Sequence, residues 1–222
     1  MMDRFSDKYP DEYFNHREFT DLKRLKSFED EAILLRKYIA SGRVCDVGCG
    51  TGEFLSYINW DGEKYGMEIN QKAICSAQRK GYIFDKNILN SREYFDLVVF
   101  RGTIQHIPYP FQYIDKSYEA LKSGGFIAFL ATPNANSLSY KLFNSLPMLG
   151  ASSNFYIPSD ITLTNVLVNF GFEILKVEYP YLGSPYCNLV RDHLKFARRC
   201  FFGGKVNFAF WRNSMNIIAR KP

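Results

Sequence analysis

Val44-Cys45-Asp46-Val47-Gly48-Cys49-Gly50-Thr51-Gly52-Glu53-Phe54-Leu55 is a short apolar run ending in an acid, then three glycines at alternate positions, then an amphipathic start. This order reads as strand, tight turn, helix. Glycines in such a turn bring bare backbone close to a ligand and aim a helix N-terminus at it. The spacing D-x-G-x-G-x-G differs from the dinucleotide fingerprint G-x-G-x-x-G, in which a pyrophosphate sits on the turn. A carboxylate two residues before the first glycine would repel a pyrophosphate and suits a cation.

Working outward, hydrophobic periodicity assigns a helix from about Asp21 to Ala40, closed by Ser41-Gly42, and a first strand over Arg43–Val47. Strands follow at Lys64–Asn70, Tyr82–Phe84, Phe95–Phe100, Phe126–Ala131, Phe172–Tyr179 and Ser214–Arg220. Helices fall between them at 53–59, Gln71–Arg79, Phe111–Leu121 and Ile161–Phe170. Phe95-Asp96-Leu97-Val98-Val99-Phe100 is nearly all apolar, as a strand covered on both faces requires. The alternation predicts an α/β fold with a doubly wound sheet. With no repeat or low-complexity linker, the expected organisation is one domain over 1–222. A helical arm (1–40) precedes it, and two insertions, 135–158 and 180–212, are placed to cover the substrate.

The 222 residues suffice for a large core, and 46% hydrophobic with 23% charged residues is ordinary for a globular protein. The 17% aromatic content is high, which suits an aromatic-rich core or an aromatic-lined site. Net charge is +5, concentrated in Arg191–Arg212. That favours an anionic substrate or surface without demanding nucleic acid. Five cysteines lack any C-x-x-C pair, which points to a reducing compartment, and Cys45 and Cys49 read as small packing residues. No window approaches the roughly 18 apolar residues of a membrane span. The N-terminal stretch carries no apolar signal core, so a cytoplasmic location is expected.

Glu68 lies 16 residues beyond Gly52, at the end of the second strand. An ionised carboxylate at the carboxyl edge of an open sheet can accept both hydroxyl hydrogens of a ribose. With this acid in place, Asp46-Val47-Gly48-Cys49-Gly50-Thr51-Gly52 resembles the first motif of the class I S-adenosylmethionine-dependent methyltransferases. Phe95–Val99 followed by Ile104-Gln105-His106-Ile107-Pro108 is similar to their fourth strand and its loop. Leu121-Lys122-Ser123-Gly124-Gly125-Phe126 is similar to the stretch leading into their fifth strand. Thr132-Pro133-Asn134 and Gly171-Phe172 resemble the branch holding ubiquinone-type and bacterial glycan-cluster O-methyltransferases. The resemblance covers roughly residues 35–178 and the last strand.

It implies a Rossmann-like, seven-stranded, mostly parallel sheet with an antiparallel last strand. It also implies S-adenosylmethionine as cofactor, with no metal. The cofactor residues it implies are Asp46, Gly48, Cys49, Gly50, Gly52, Glu68 and Ile69, with Asp85 or Asn87 at the adenine amino group, Ile88 against the ring, and Arg101 in the loop after strand four. Arg101 either faces an anionic substrate or pairs with Glu68 or Asp46. His106, in that same loop, is the catalytic candidate as general base or as a loop anchor, with His16 and His193 behind it. Tyr156 or Tyr186 would orient the substrate.

The expected activity is O-methylation of a small-molecule or glycan-linked acceptor, as in polysaccharide biosynthesis. A quinone- or phenol-directed O-methyltransferase and a non-catalytic S-adenosylmethionine-binding partner protein are the alternatives. Nucleic acid is not expected, because there is no Asn-Pro-Pro-Tyr/Phe-type motif and no dense basic stripe. Ser137–Leu149 reads as an apolar lid. Tyr186–Phe202 reads as a basic amphipathic helix, open to three roles: packed cover, pocket for an anionic substrate such as a nucleotide-linked sugar, or membrane-surface contact.

Overall fold

The computed structural model describes residues 21–84, 88–149 and 154–222. Strand β1 (Val44–Val47) lies inside the sheet, all four residues buried. It is parallel to β2 (Lys64–Met67) on one side and to β4 (Phe95–Arg101) on the other. A two-residue strand, β3 (Ile83–Phe84), edges β2. On the far side β5 (Leu121–Pro133) continues the parallel run. Then β7 (Ser214–Arg220) inserts antiparallel between β5 and β6 (Glu173–Glu178), giving the order β3-β2-β1-β4-β5-β7-β6.

Helices cover both faces because the central strands are apolar on both. Helix α1 (Leu22–Arg36), capped by Asp21, and the short α2 (Glu53–Tyr57) lay Phe28, Leu35, Phe54 and Leu55 over Leu97, Val99 and Leu130. On the opposite face α4 (Pro110–Ala120) and α6 (Asp160–Asn169) pack Ile114, Leu163 and Leu167 against Val98, Phe100 and Phe129. Phe100 and Phe129 stack with ring centroids 5.0 Å apart. Helix α3 (Gln71–Arg79) follows β2, capped by the Asn70 side chain, which accepts from Ala73 N. The first insertion carries α5 (Leu138–Phe143), and the second carries α7 (Leu189–Phe202).

Three expectations shift. The first helix ends at Arg36 rather than Ala40, because the Tyr38 and Ile39 N–H groups fold back onto Leu35 O. Strand β5 begins at Leu121 rather than at Phe126, so Lys122-Ser123-Gly124-Gly125 belongs to the strand rather than to the connection before it. Leu121 pairs with Phe95, the register shifts before Leu97 meets Phe126, and Lys122 Nζ donates to Asp96 at 2.7 Å. The sequence signal is a glycine pair, which serves a strand irregularity as well as it serves a turn. The apolar lid is also only partly so: Leu146 is buried, but Leu138 and Leu142 on α5 are exposed.

One buried polar hub ties the insertions to the carboxyl edge of the sheet. Asn134 Oδ1, just past β5, accepts from Asn136 N and Asp160 N. The Asp160 carboxylate, buried at the start of α6, accepts from Asn136 Nδ2 at 2.8 Å, from Tyr179 OH and from Arg212. Burial pushes its pKa up, but these hydrogen bonds outweigh that and hold it below the usual carboxylate range. Breaking a buried ion pair usually costs about 3–5 kcal/mol. Arg212 is half exposed, so Asp160→Ala is expected to cost roughly 3 kcal/mol at neutral pH. The loss should shrink as pH falls through the Asp160 pKa, because the native carboxylate then gains the proton the unfolded chain already holds. Urea unfolding of both proteins at neutral and acidic pH measures this.

Candidate active site

The carboxyl ends of β1, β2, β4 and β5 open into one cleft of about 1170 Å³. Its floor is the glycine turn. Gly48 has φ +76°, and a Cβ there would stand 2.3 Å from Thr103 Cγ2, so only glycine lets this backbone lie on the loop after β4. Gly48 N and Cys49 N both donate to Met67 O at the end of β2, and Lys80 Nζ, just past α3, donates to Thr51 O at 2.7 Å. The turn is thus fixed from both sides, with its backbone facing the cleft.

Glu68 stands just beyond β2, and its carboxylate accepts from Gly50 N at 3.0 Å, Ile69 N at 2.7 Å and Asn70 N at 3.1 Å. Three N–H donors leave about one of a carboxylate's four acceptor sites for a ligand hydroxyl. Ile69, 48% exposed, lines the same wall.

Asp46, 2% exposed, sits beneath the turn with Oδ1 buried and lacking any hydrogen-bond partner among the described residues. Burial pushes its pKa up to about 7; Arg101 draws it down, while Glu68 and Glu31 add to the rise. An unpaired carboxylate buried at a cleft floor is costly unless a positive group arrives. The site therefore fits a cationic ligand and disfavours a phosphate.

Arg101 lines the cleft, but its carboxylate partner is neither of the two expected for it. Its guanidinium pairs with Glu31 on α1 at 2.5 Å, donates to Ser27 Oγ, and lies over the Phe28 ring at 4.2 Å. It pairs with neither Glu68 nor Asp46, and it builds the cleft wall by binding α1 to β4. Glu31 was not legible as its partner, because the two lie 70 residues apart. Glu53, also buried in this wall, pairs with Arg24 at 2.8 Å.

His106 ends a 3₁₀ turn, Ile104–His106, and lines the cleft. The Gln105 amide nitrogen donates to Gly102 O at 2.9 Å and lies 3.1 Å from His106 Nε2. The Gly102 carbonyl fixes the amide orientation, so His106 Nε2 accepts. The Gln105 backbone carbonyl accepts from Phe155 N and Tyr156 N, which anchors the first insertion to this loop. His193 is turned away: Nδ1 donates to Leu189 O at 2.7 Å, and its ring meets Phe210 edge-on. Tyr186 lines the cleft, whereas Tyr156 packs edge-on against Phe111. His16, Asp85, Asn87 and the Ile88 side chain lie outside the described residues.

The far wall holds a group that sequence reading missed. Asn213, just before β7, is 2% exposed, and neither its Oδ1 nor its Nδ2 has a partner among the described residues. Beside it Asn216 accepts from Ala131 N at 2.9 Å and donates to Glu178 Oε1 at 3.0 Å. Ala131 has φ +47°, at a register break where β5 bulges towards the cleft. The legible signal was topological: an antiparallel last strand starts where its parallel neighbour ends, so the residues leading into β7 belong at the ligand edge.

The Asp46 geometry sets a pH dependence. An acid whose folded pKa is raised contributes stability below its unfolded value that is lost as pH rises to the folded value. For Asp46 the window runs from about pH 3.8 to about pH 7. In the absence of ligand, Asp46→Asn is expected to raise Tm relative to the parent above pH 7, with the difference fading towards pH 4. Thermal unfolding across that range measures it, and a pH-independent difference would discard the buried, raised carboxylate.

Comparison with known proteins agrees with this geometry. The methyltransferase-domain family model matches residues 14–177. The ubiquinone biosynthesis O-methyltransferase of Thiobacillus denitrificans is 26% identical over 137 residues, covering 56% of this chain and 59% of that protein. The chain thus spans about three fifths of the length of this curated relative. Two solved structures share the fold. A S-adenosylmethionine-dependent methyltransferase from Archaeoglobus fulgidus has a TM-score of 0.64 and 20% identity, over 89% of this chain and 94% of its own. One from Thermotoga maritima has a TM-score of 0.64 and 18% identity, over 99% and 97%. With its D-x-G-x-G-x-G turn lying over Asp46 and held by Glu68, the chain belongs to the methyltransferase-domain family, in its class I S-adenosylmethionine-dependent group.

Proposed function

We propose that this chain is a S-adenosylmethionine-dependent O-methyltransferase that methylates a hydroxyl of a small-molecule or glycan-linked acceptor. The observation that carries the reading is the buried, unpaired Asp46 oxygen beneath a glycine turn whose rim is the Glu68 carboxylate. Asp46 would hold the positively charged end of the cofactor, Glu68 its ribose hydroxyls, and the backbone of Gly48–Gly52 its methionine portion. The bound cofactor supplies a methyl group already activated by a positive sulfur.

The chain's part is alignment, exclusion of water and handling of one proton. Met67, Phe54, Ile107, Met148, Phe208 and Phe210 line the cleft, and apolar side chains of this kind would exclude water from the transferring methyl group. His106 is the imidazole at its edge, but its Nε2 lone pair is engaged by Gln105. That favours a loop-holding role over general base. Asn213 supports the choice of acceptor: an amide with both donor and acceptor unmet, set beside apolar and aromatic walls, matches a hydroxylated ring. A phenol or quinol acceptor is the second reading, favoured by the name of the Thiobacillus denitrificans relative.

Calorimetry tests the cofactor. S-adenosylmethionine should bind more tightly as pH rises through about 7, as Asp46 ionises. Asp46→Asn should weaken binding about tenfold or more and flatten that pH dependence. Tight binding of NAD with none of S-adenosylmethionine would overturn the reading.

Transfer of labelled methyl to a panel of nucleotide sugars, glycans, phenols and quinols tests the acceptor. Asn213→Leu should lower kcat/KM for a sugar acceptor about 10- to 100-fold with cofactor affinity unchanged. His106→Ala should cost less than about tenfold, where loss of a general base would cost about 100-fold or more. Methylation of phenols alone would favour the second reading. Tight cofactor binding with no transfer would favour a non-catalytic binding protein.

A further inference from the structure

Helix α7 has two unlike faces. Its inner face is fully engaged. Asp192 is fully buried and accepts from Asn188 N at 2.8 Å and from Tyr181 OH, and Phe196 stacks on Phe210 at 4.2 Å and 6°. The outer face is apolar and in solvent. Val190 is 73% exposed, Leu194 67%, Phe201 82% and Phe202 81%. Residues 190, 194, 197 and 201 fall at successive helical steps, so Ala197 completes one continuous stripe. The stripe ends in the phenylalanine pair and the exposed Gly203-Gly204 turn, a ridge that projects from the surface.

The charge around this ridge has one sign. Arg191, Lys195 and Arg198 run along one side of it, Lys205 lies just past the helix end, Arg199 bonds the Gly203 carbonyl at 3.0 Å, and the single acid of the segment, Asp192, is buried with Arg191 Nε 3.6 Å away. Exposed aromatics in a row are rare on soluble surfaces without a partner. A second copy of this helix would bring five cations against five with no exposed acid on it to meet them. A convex, apolar, cation-rimmed ridge matches a layer that admits side chains and carries negative charge, namely an anionic bilayer surface.

We propose that α7 seats the protein on anionic phospholipid membranes, with Val190, Leu194, Phe201 and Phe202 entering the headgroup–acyl boundary and the flanking cations meeting lipid phosphates. Arg191 on this helix also lines the cleft, and the Phe210 that supports its inner face does too. The seat therefore sets the cleft wall close to the lipid surface. The binding claim does not depend on the methyltransferase reading.

Flotation of the full chain with vesicles tests it, without cofactor or acceptor. Binding is expected to phosphatidylcholine vesicles containing phosphatidylglycerol, to be much weaker to phosphatidylcholine alone, and to fall as salt rises. The double variant Phe201→Ser, Phe202→Ser should reduce partitioning at least about tenfold. Arg198→Glu should reduce it about fivefold or more. These side chains are exposed, so both variants should keep the parent Tm and cofactor affinity. Absence of vesicle binding, or binding unaffected by lipid charge and by both variants, would overturn the proposal. So would a stable dimer that the double phenylalanine variant dissociates while vesicle binding is absent.

Discussion

The site depends on one steric constraint: the backbone at Gly48 must lie directly against the loop after β4. A methyl group at Gly48 would collide with Thr103, so the approach exists only because that side chain is missing. This approach presents Gly50 N to the Glu68 carboxylate and leaves Asp46 enclosed below. Two carboxylates from neighbouring strands thereby reach one cavity. Neither would be costly in water; together, with one of them buried and its oxygen unpaired, they make a place for positive charge.

The surrounding structure stabilises this arrangement without neutralising it. Two arginines that stand in the wall are already committed, Arg101 to Glu31 and Arg24 to Glu53. Arg101 also presses on the Phe28 ring, so the pair joins α1 to the end of β4 as packing and as charge. These commitments leave Asp46 without a side-chain cation in hydrogen-bond contact, which is why burial dominates its pKa. The opposite wall works by a different principle. Asn216 satisfies a strained bulge at Ala131 and orients Glu178, and its neighbour Asn213 keeps an unmet amide at the ligand edge.

The two insertions divide their labour more than their composition suggests. The aromatic run after α7 reads as one apolar stretch, yet Phe208 and Phe210 pack inward with Val206 into a small third core, while Phe201 and Phe202 stand in solvent. The difference arises from where the helix ends. Gly203, at φ +67°, turns the chain back so that residues after it reach Phe143 and Phe196, and the residues just before it are left on the outer ridge.

Much of the fold was legible in the sequence, because it rests on local rules. Apolar runs of strand length, helical spacing between them and the glycine turn after β1 fix an α/β sheet and its ligand edge, and Glu68 falls at that edge by spacing alone. Asp46 was equally legible as an acid unsuited to phosphate. What only the tertiary structure decided lies in pairings between distant residues. Arg101 finds Glu31 rather than Glu68, Gln105 occupies the His106 lone pair through the fixed Gly102 carbonyl, and Asn213 reaches the cleft because β7 runs antiparallel. Periodicity reports which face of an element is buried. It carries no information on which buried partner, tens of residues away, will meet a given side chain, and that choice set the chemistry of the walls.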